Sequence, residues 1–226
     1  MQSVTLTEEL ARNGYVVAAP DHADATLCHT ITPVPGSANT VQPSQPGILA
    51  PEAWSDNSRR DRQEDIEAIL DALLADAEFR SVIDPQRLGL AGHSLGPYTV
   101  IGISGGWPSW RDARVRAVLA LSPYVMPFQV KQTLRDIQIP VMFMYQGGTL
   151  DVGITAFLQG PKGAYAAAHS PAYFVVLQGA GHFAWVNCGE EHRAIMSSAS
   201  NQREALRRLR NRVFQPPLKG AAGVQT

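Results

Sequence analysis

The segment 88–96, Leu-Gly-Leu-Ala-Gly-His-Ser-Leu-Gly, contains the residues of this chain that are best suited to covalent chemistry. Ser94 is the serine of a G-x-S-x-G motif, with an apolar run at 87–91 before it and another at 98–103 after it. This order predicts a strand, a sharp turn and a helix, with the serine hydroxyl exposed at the turn. We expect both glycines of the motif to lie where a side chain would collide with the neighbouring strand and helix. Ser94 is therefore the candidate nucleophile.

A serine hydroxyl needs a base to take its proton, and the base needs an acid to fix its tautomer. Two downstream residues each follow an apolar run that reads as a buried strand. Asp151 comes after the run 141–145 and a pair of glycines, and His182 comes after the run 173–177. Because open α/β sheets place their sites at the carboxyl ends of their strands, we expect Ser94, Asp151 and His182 to converge as nucleophile, acid and base.

Other polar residues are weaker candidates for these roles. Asp112 and Asp136 are alternatives for the acid, but neither follows an apolar strand with glycines. His93, inside the turn, is expected to contribute packing and hydrogen bonds behind the site rather than catalysis itself. The triad therefore remains the simplest interpretation of these residues.

Three motifs of the chain resemble those of a known family. They are Gly-His-Ser-Leu-Gly at 92–96, Gly-Gly-Thr-Leu-Asp at 147–151 and Gly-Ala-Gly-His-Phe at 179–183. They are similar to the triad motifs of α/β-hydrolases related to dienelactone hydrolases, and most of all to bacterial esterases similar to platelet-activating-factor acetylhydrolases. Cutinases and polyester hydrolases are more distant cousins. Further matching stretches at 14–22, 62–74 and 115–123 extend the resemblance from Leu10 to about Val186.

The resemblance implies an α/β-hydrolase fold, a mostly parallel sheet flanked by helices, with the triad in the chain order Ser, Asp, His. Dienelactone hydrolases proper use a cysteine nucleophile, so Ser94 points to ester hydrolysis by the ordinary serine route. The family pattern also makes the backbone N–H of Leu95 an oxyanion donor. Pro97 stands where these esterases usually have another glycine, and proline is tolerated in the first turn of a helix.

The sequence contains fewer strands than the resemblance implies. Five are predicted, at residues 15–19, 87–91, 115–121, 141–145 and 173–177. Family members carry earlier strands, one of which lies between the first two of these and supplies a second oxyanion donor. We therefore expect an N-terminally shortened member, in which residues 15–19 pair directly with 87–91 or a second chain fills or covers the gap. Removal of one oxyanion donor typically costs about 10²–10³ in rate.

The composition indicates one globular domain. The chain has 226 residues, of which 45% are hydrophobic and 17% charged, enough to bury one large core. A formal net charge of −1 gives no basic field for a nucleic-acid or anionic-membrane partner. The sequence contains no run of eighteen apolar residues, so no membrane span is predicted. Residues 1–12 do not have the pattern of a signal peptide, and a cytoplasmic location is therefore expected.

No cofactor and no metal are predicted. His22, Asp24 and His29 lack a recognised metal-ligand spacing. Cys28 and Cys188 form either a disulfide or two free thiols, and two free thiols in a cytoplasmic protein is the better expectation.

The predicted domain covers residues 1–214, followed by a tail at 215–226 that is rich in Gly, Pro and Ala. Helices are predicted at 6–13, 61–74 and 190–214. Residues 21–60 contain several prolines and no sustained periodicity. Loops of this length are usually lids or binding walls, and the alternative is a surface insertion without a role.

Two classes of function remain open at this point. The first is a serine carboxylesterase that hydrolyses short-acyl or compact small-molecule esters, with an acyl pocket walled by Trp54, Trp107, Tyr124 and Trp185. The second is a catalytically impaired hydrolase fold that acts as a binding or homo-oligomerising module. A thioesterase or acyltransferase would use the same triad, and the sequence does not separate it from the esterase.

Overall fold

The computed structural model describes residues 3–20, 22, 45–146, 163–169, 171–177 and 181–186. Its strands are β1 (Leu88–His93), β2 (Val115–Leu121), β3 (Val141–Gln146) and β4 (Ala172–Leu177). Its α-helices are α1 (Val4–Arg12), α2 (Arg60–Ala75), α3 (Ala77–Val82), α4 (Gly96–Ile101), α5 (Met126–Lys131) and α6 (Ala164–Ala167). Shorter helical turns cover Pro51–Ala53, Gly102–Gly106, Pro108–Trp110, Leu134–Asp136 and His182–Trp185.

The four strands form one parallel sheet in the order β1-β2-β3-β4. Each parallel step requires a crossover connection, and α4, α5 and α6 lie in the three connections. The predicted fold class, an α/β protein with a parallel sheet flanked by helices, is confirmed.

Alternation along the strands divides the core into two clusters, because successive side chains point to opposite faces of a sheet. In β3, Phe143 belongs to the larger cluster, together with Ile101 of α4 and an aromatic group that includes Trp54. Met144, one residue further on, belongs to the smaller cluster with Leu6 of α1. Helices therefore cover both faces of the sheet, as a buried parallel sheet requires.

The first two helices lie close to their predicted positions. The helix expected at 6–13 is α1, and Gly14 follows its last turn with φ +86°, a left-handed conformation that glycine adopts without strain. The helix expected at 61–74 is α2, whose Ile66 packs against the larger core cluster.

The strand predicted at residues 15–19 is wrong. Residues 15–20 form no regular secondary structure. The backbone N–H of Tyr15 donates instead to the carbonyl of Leu10, 3.2 Å away at the end of α1. An extended segment becomes a strand only when a neighbour satisfies its backbone groups, and no described strand pairs with this segment.

Within the described residues, β1 is thus an edge strand that pairs only with β2. The expectation that residues 15–19 pair directly with the strand before Ser94 is wrong as well. The other expectation, a second chain at this edge, stays a prediction.

Several sequence predictions lie outside the described residues. They concern Asp151, Cys28, Cys188, most of the loop 21–60, the helix 190–214 and the tail 215–226. Among the helices that the structure describes, none is both long enough and apolar enough to cross a membrane.

Candidate active site

Ser94 lies in a strained turn between β1 and α4. Its φ of +59° falls in the left-handed region, which residues other than glycine seldom adopt. Two backbone hydrogen bonds hold it there: its N–H donates to the carbonyl of Leu121 at 3.0 Å, and its carbonyl accepts from the N–H of Tyr124 at 3.0 Å. The end of β2 therefore fixes the conformation of the turn, as a strained functional residue requires.

The two glycines of the motif have different roles. A Cβ atom at Gly92 would lie 2.4 Å from the carbonyl carbon of Gly96, so no side chain fits there. A Cβ atom at Gly96 would have no atom within 4 Å. The predicted collision is confirmed at Gly92, where the obstacle is the backbone at the start of α4, and it is wrong at Gly96, which faces open space.

His182 contacts Ser94 across 88 residues of sequence. Its Nε2 lies 3.1 Å from Oγ of Ser94, within hydrogen-bond distance. His182 begins a short helical turn after β4, and the N–H of Ala184 in that turn donates to the carbonyl of Gly181 at 3.0 Å. The residues after it, Ala184, Trp185 and Val186, are buried and so attach the histidine to the core.

The backbone at Leu95 starts α4. Its carbonyl accepts a 3.1 Å hydrogen bond from the N–H of Tyr98, and no acceptor for its own N–H is found among the described residues. Pro97 is buried in the first turn of the helix, where its missing N–H is not needed. The Leu95 N–H is thus the first backbone N–H after Ser94. It lies at the N-terminal end of α4, the end of a helix that carries partial positive charge.

His93, the last residue of β1, contacts the main chain of His182. Its Nε2 lies 2.8 Å from the backbone carbonyl oxygen of His182, and the two ring centroids are 4.9 Å apart. Burial, and to a lesser extent the neighbouring His182, lowers the pKa of His93 to about 4. His93 is therefore a neutral imidazole at neutral pH.

The predicted acid of the triad, Asp151, lies outside the described residues. Its two rivals are described, and they lie before strands rather than after them: Asp112 precedes β2 and Asp136 precedes β3. Because the strands are parallel, residues that precede a strand lie at the amino-terminal end of the sheet, whereas Ser94 lies at the carboxyl end. Asp112 is also engaged by Arg114, whose Nη2 lies 2.6 Å from its Oδ2, and these hydrogen bonds lower the pKa of the Asp112 carboxyl.

The four aromatic residues expected around the acyl pocket are divided between the two core clusters, and the rings of Trp54 and Tyr124 lie 5.2 Å apart. Trp54 and Trp107 are buried in the larger core cluster, and Trp185 is buried in the smaller one. Tyr124 is partly buried, and its backbone is bonded to Ser94. Burial raises the pKa of the Tyr124 phenol to about 12. Among these four residues, Tyr124 is joined to the nucleophile by a main-chain hydrogen bond.

Aromatic donors also fasten residues 45–58 to the body of the protein, which the sequence interpretation missed. The Tyr98 hydroxyl donates to the carbonyl of Ser58 at 2.8 Å, and the Tyr124 hydroxyl donates to the carbonyl of Ile48 at 2.8 Å. The indole N–H of Trp110 donates to the carbonyl of Asp56 at 2.7 Å. The available signal was the concentration of Tyr and Trp near the motif, because buried Tyr and Trp need an acceptor for their polar atom.

A separate cavity of about 370 Å³ lies between α2 and the segment that leads into β2. Gln63, Trp110 and Arg114 are among its lining residues, and Ser94 and His182 are not. Since Arg114 is already paired with Asp112 and Asp71, the cavity presents no free cation at that position. The candidate active site is therefore the group around Ser94.

In comparisons with known proteins, no family model and no curated protein sequence matches this chain. Solved structures do match. A dienelactone hydrolase from Anabaena variabilis is 16% identical over 65% of this chain and 58% of that chain, with a TM-score of 0.44. An acylaminoacyl peptidase from Pyrococcus horikoshii is 11% identical over 72% of this chain and 29% of that chain, with a TM-score of 0.45. The esterase domain of a Rhodothermus marinus protein is 16% identical over 65% of this chain and 68% of that chain, with a TM-score of 0.39.

These proteins are named as a hydrolase, a peptidase and an esterase, and the first carries the name of the group that the motifs resemble. This chain spans 58% of the first protein and 29% of the second. A likeness of this degree assigns neither an activity nor a substrate to this chain.

Proposed function

We propose that this chain is a serine hydrolase that cleaves carboxylic esters, with Ser94 as nucleophile, His182 as general base and Asp151 as the acid. The observation that carries the proposal is the 3.1 Å approach of His182 Nε2 to Ser94 Oγ on a strained turn. Nucleophile and base within hydrogen-bond distance are the signature of an activated serine. Backbone strain of this kind concentrates at functional sites, which supports the proposal together with the approach of His182.

The proposed reaction proceeds through an acyl-enzyme. Ser94 Oγ attacks the ester carbonyl while His182 Nε2 takes the hydroxyl proton, and the Leu95 N–H donates to the oxyanion that forms. Collapse of this intermediate breaks the bond to the alkoxide, which leaves as the alcohol with the proton from His182. Water then attacks the acyl group with His182 again as base, releasing the carboxylic acid and restoring Ser94. Asp151 would hold the tautomer of His182 and stabilise its charged form.

The substrate class proposed is a small ester with a short or compact acyl group. Tyr124 is proposed as one wall of this acyl pocket, because its partly buried ring follows β2 at the same end of the sheet as Ser94 and its main chain is bonded to the nucleophile. Residues 45–58, which Tyr98, Trp110 and Tyr124 fasten in place, are proposed as one wall of the binding site. A thioesterase or an acyltransferase would use the same three residues, so thioesters and acyl acceptors belong among the compounds tested as substrates.

The test replaces the nucleophile and a control serine. Ser94→Ala should abolish hydrolysis of p-nitrophenyl acetate, because the acyl-enzyme cannot form without the hydroxyl group. Ser81→Ala is the control, since the Ser81 hydroxyl donates to the Glu78 carbonyl within exposed α3. Initial rates and circular dichroism are measured for both variants. A folded Ser94→Ala protein that turns over at the rate of the Ser81→Ala protein would disprove the assignment of Ser94 as nucleophile, whereas folded wild-type protein without turnover would favour the binding module.

A further inference from the structure

We propose that His93 is a positioning residue: it donates its Nε2–H to the backbone carbonyl of His182 and so holds the base against Ser94. This inference rests on the proposed function. The hydrogen bond of His93 goes to the main chain of His182 rather than to Ser94 Oγ, so its action passes through His182.

The geometry connects two consecutive residues to the same histidine. Ser94 Oγ lies 3.1 Å from Nε2 of His182, and His93 Nε2 lies 2.8 Å from the carbonyl oxygen of His182. The end of β1 thus contacts His182 at its ring and at its main chain. His182 begins the short helical turn after β4, and these two contacts hold its main chain and its ring against the end of β1.

The chemistry of the contact determines the tautomer of His93. A carbonyl oxygen only accepts hydrogen bonds, so Nε2 must carry the proton. The other ring nitrogen, Nδ1, is buried and has no partner among the described residues. A second proton there would be a buried charge without an acceptor, which agrees with the lowering of the His93 pKa by burial.

A neutral His93 also suits the reaction. The rings of His93 and His182 lie 4.9 Å apart, and His182 must become positively charged when it takes the proton of Ser94. A charged His93 would oppose that step. A neutral donor at this position orients the base and leaves the charge of the imidazolium unopposed.

Two variants separate the hydrogen bond from the packing of the ring. His93→Phe keeps an aromatic ring and removes the donor, whereas His93→Gln places an amide N–H at about the distance of Nε2. Misplacement of a catalytic group by 1 Å can cost roughly 10² in rate, so we expect His93→Phe to lower kcat for p-nitrophenyl acetate by about 10–100-fold. KM should change little, and His93→Gln should recover most of kcat. His169→Phe, a change at an exposed histidine after α6, is the control.

A second measurement is independent of turnover. In ¹⁵N NMR spectra of the wild-type imidazoles, His93 should remain the neutral Nε2–H tautomer from pH 8 to pH 5. An Nδ1–H tautomer, or a charged His93 at pH 6, would overturn the inference. So would folded His93→Phe protein with the kcat of the His169→Phe control, or His93→Gln protein as slow as His93→Phe. If wild-type turnover does not depend on Ser94, the proposed function fails, and the positioning role fails with it even where NMR finds the tautomer.

Discussion

Among the described residues, Ser94 is one of two serines with positive φ at the carboxyl ends of the strands. Ser94 follows β1 with φ +59°, and Ser122 follows β2 with φ +45°. The N–H of Ser122 donates to the Met144 carbonyl in β3 at 2.8 Å, just as the N–H of Ser94 donates to the Leu121 carbonyl in β2. Each strained residue is thus held by the next strand. Such strain persists only where the surroundings enforce it, and it concentrates at functional sites.

The two motif glycines give a matched pair of variants. Gly92→Ala should destabilise the protein severely, because the added methyl group would lie 2.4 Å from backbone that cannot move without opening the turn. Gly96→Ala meets no neighbour within 4 Å and should change stability by less than about 1 kcal/mol. Urea denaturation followed by circular dichroism measures both. Equal losses of stability would contradict the geometry of the turn.

His93 makes the stability of the fold depend on pH. Its pKa is about 4 in the folded protein and 6.5 for the ordinary side chain, so between these values the unfolded chain binds a proton that the folded chain does not. The stability that the neutral His93 side chain contributes to the fold is fully present above pH 6.5 and is lost as the pH falls toward 4. Wild-type protein should therefore lose more stability than His93→Phe protein between pH 7 and pH 4.5. Urea midpoints measure this, and parallel pH profiles for the two proteins would contradict it.

At the level of elements, the sequence predicted four strands to within one or two residues at either end. The strand predicted at 115–121 is β2, and the runs at 141–145 and 173–177 are β3 and β4, each extended by one residue. The runs at 141–145 and 173–177 are continuous apolar stretches, and the run at 115–121 is interrupted by Arg116; long apolar runs are the pattern of strands buried on both faces. The run at 15–19 has the same local pattern and forms no strand, because pairing depends on neighbours that a local pattern does not contain.

Aromatic residues show the same limit. Trp54 is fully buried and its indole N–H donates to the Gly47 carbonyl, so it belongs to the core and to the support of residues 45–58. Nothing in the spacing of Trp54, Trp107 and Trp185 distinguishes core from pocket, because all three are large and apolar. The position of Tyr124, next to Ser94, depends on a hydrogen bond between residues from two different strand ends.

The position of each aspartate relative to the strands gives a prediction about the acid. Asp151 follows β3, whereas Asp112 and Asp136 precede β2 and β3 and so lie at the opposite edge of the sheet. Asp151→Asn should lower kcat by up to about 10⁴, because an amide stabilises the wrong tautomer of the base. Asp112→Asn and Asp136→Asn should leave kcat nearly unchanged. A large loss of kcat at Asp112 or Asp136, with little at Asp151, would reassign the acid.

At the level of the whole molecule, the described part of the chain is a parallel sheet whose nucleophile strand lies at the edge. Only β2 pairs with β1 there, and the alternate residues Gly89 and Ala91 are exposed. Edge strands carry a row of unpaired backbone N–H and C=O groups that a further strand or another chain can pair with. From the count of strands we expected that residues 15–19 would pair with the strand before Ser94 or that a second chain would lie there; the first does not occur among the described residues, and the second stays a prediction.

The central claim is that His182 activates Ser94, and labelling by an organophosphonate tests it most directly. The reagent bonds covalently to an activated serine and needs no knowledge of the natural substrate. Mass spectrometry of proteolytic peptides should find one adduct per chain, on Ser94, with labelling lost in Ser94→Ala and strongly slowed in His182→Gln. The Ser81→Ala control should label at the wild-type rate. Wild-type protein that remains unlabelled while folded, or labelling that is equally fast in His182→Gln, would contradict the claim.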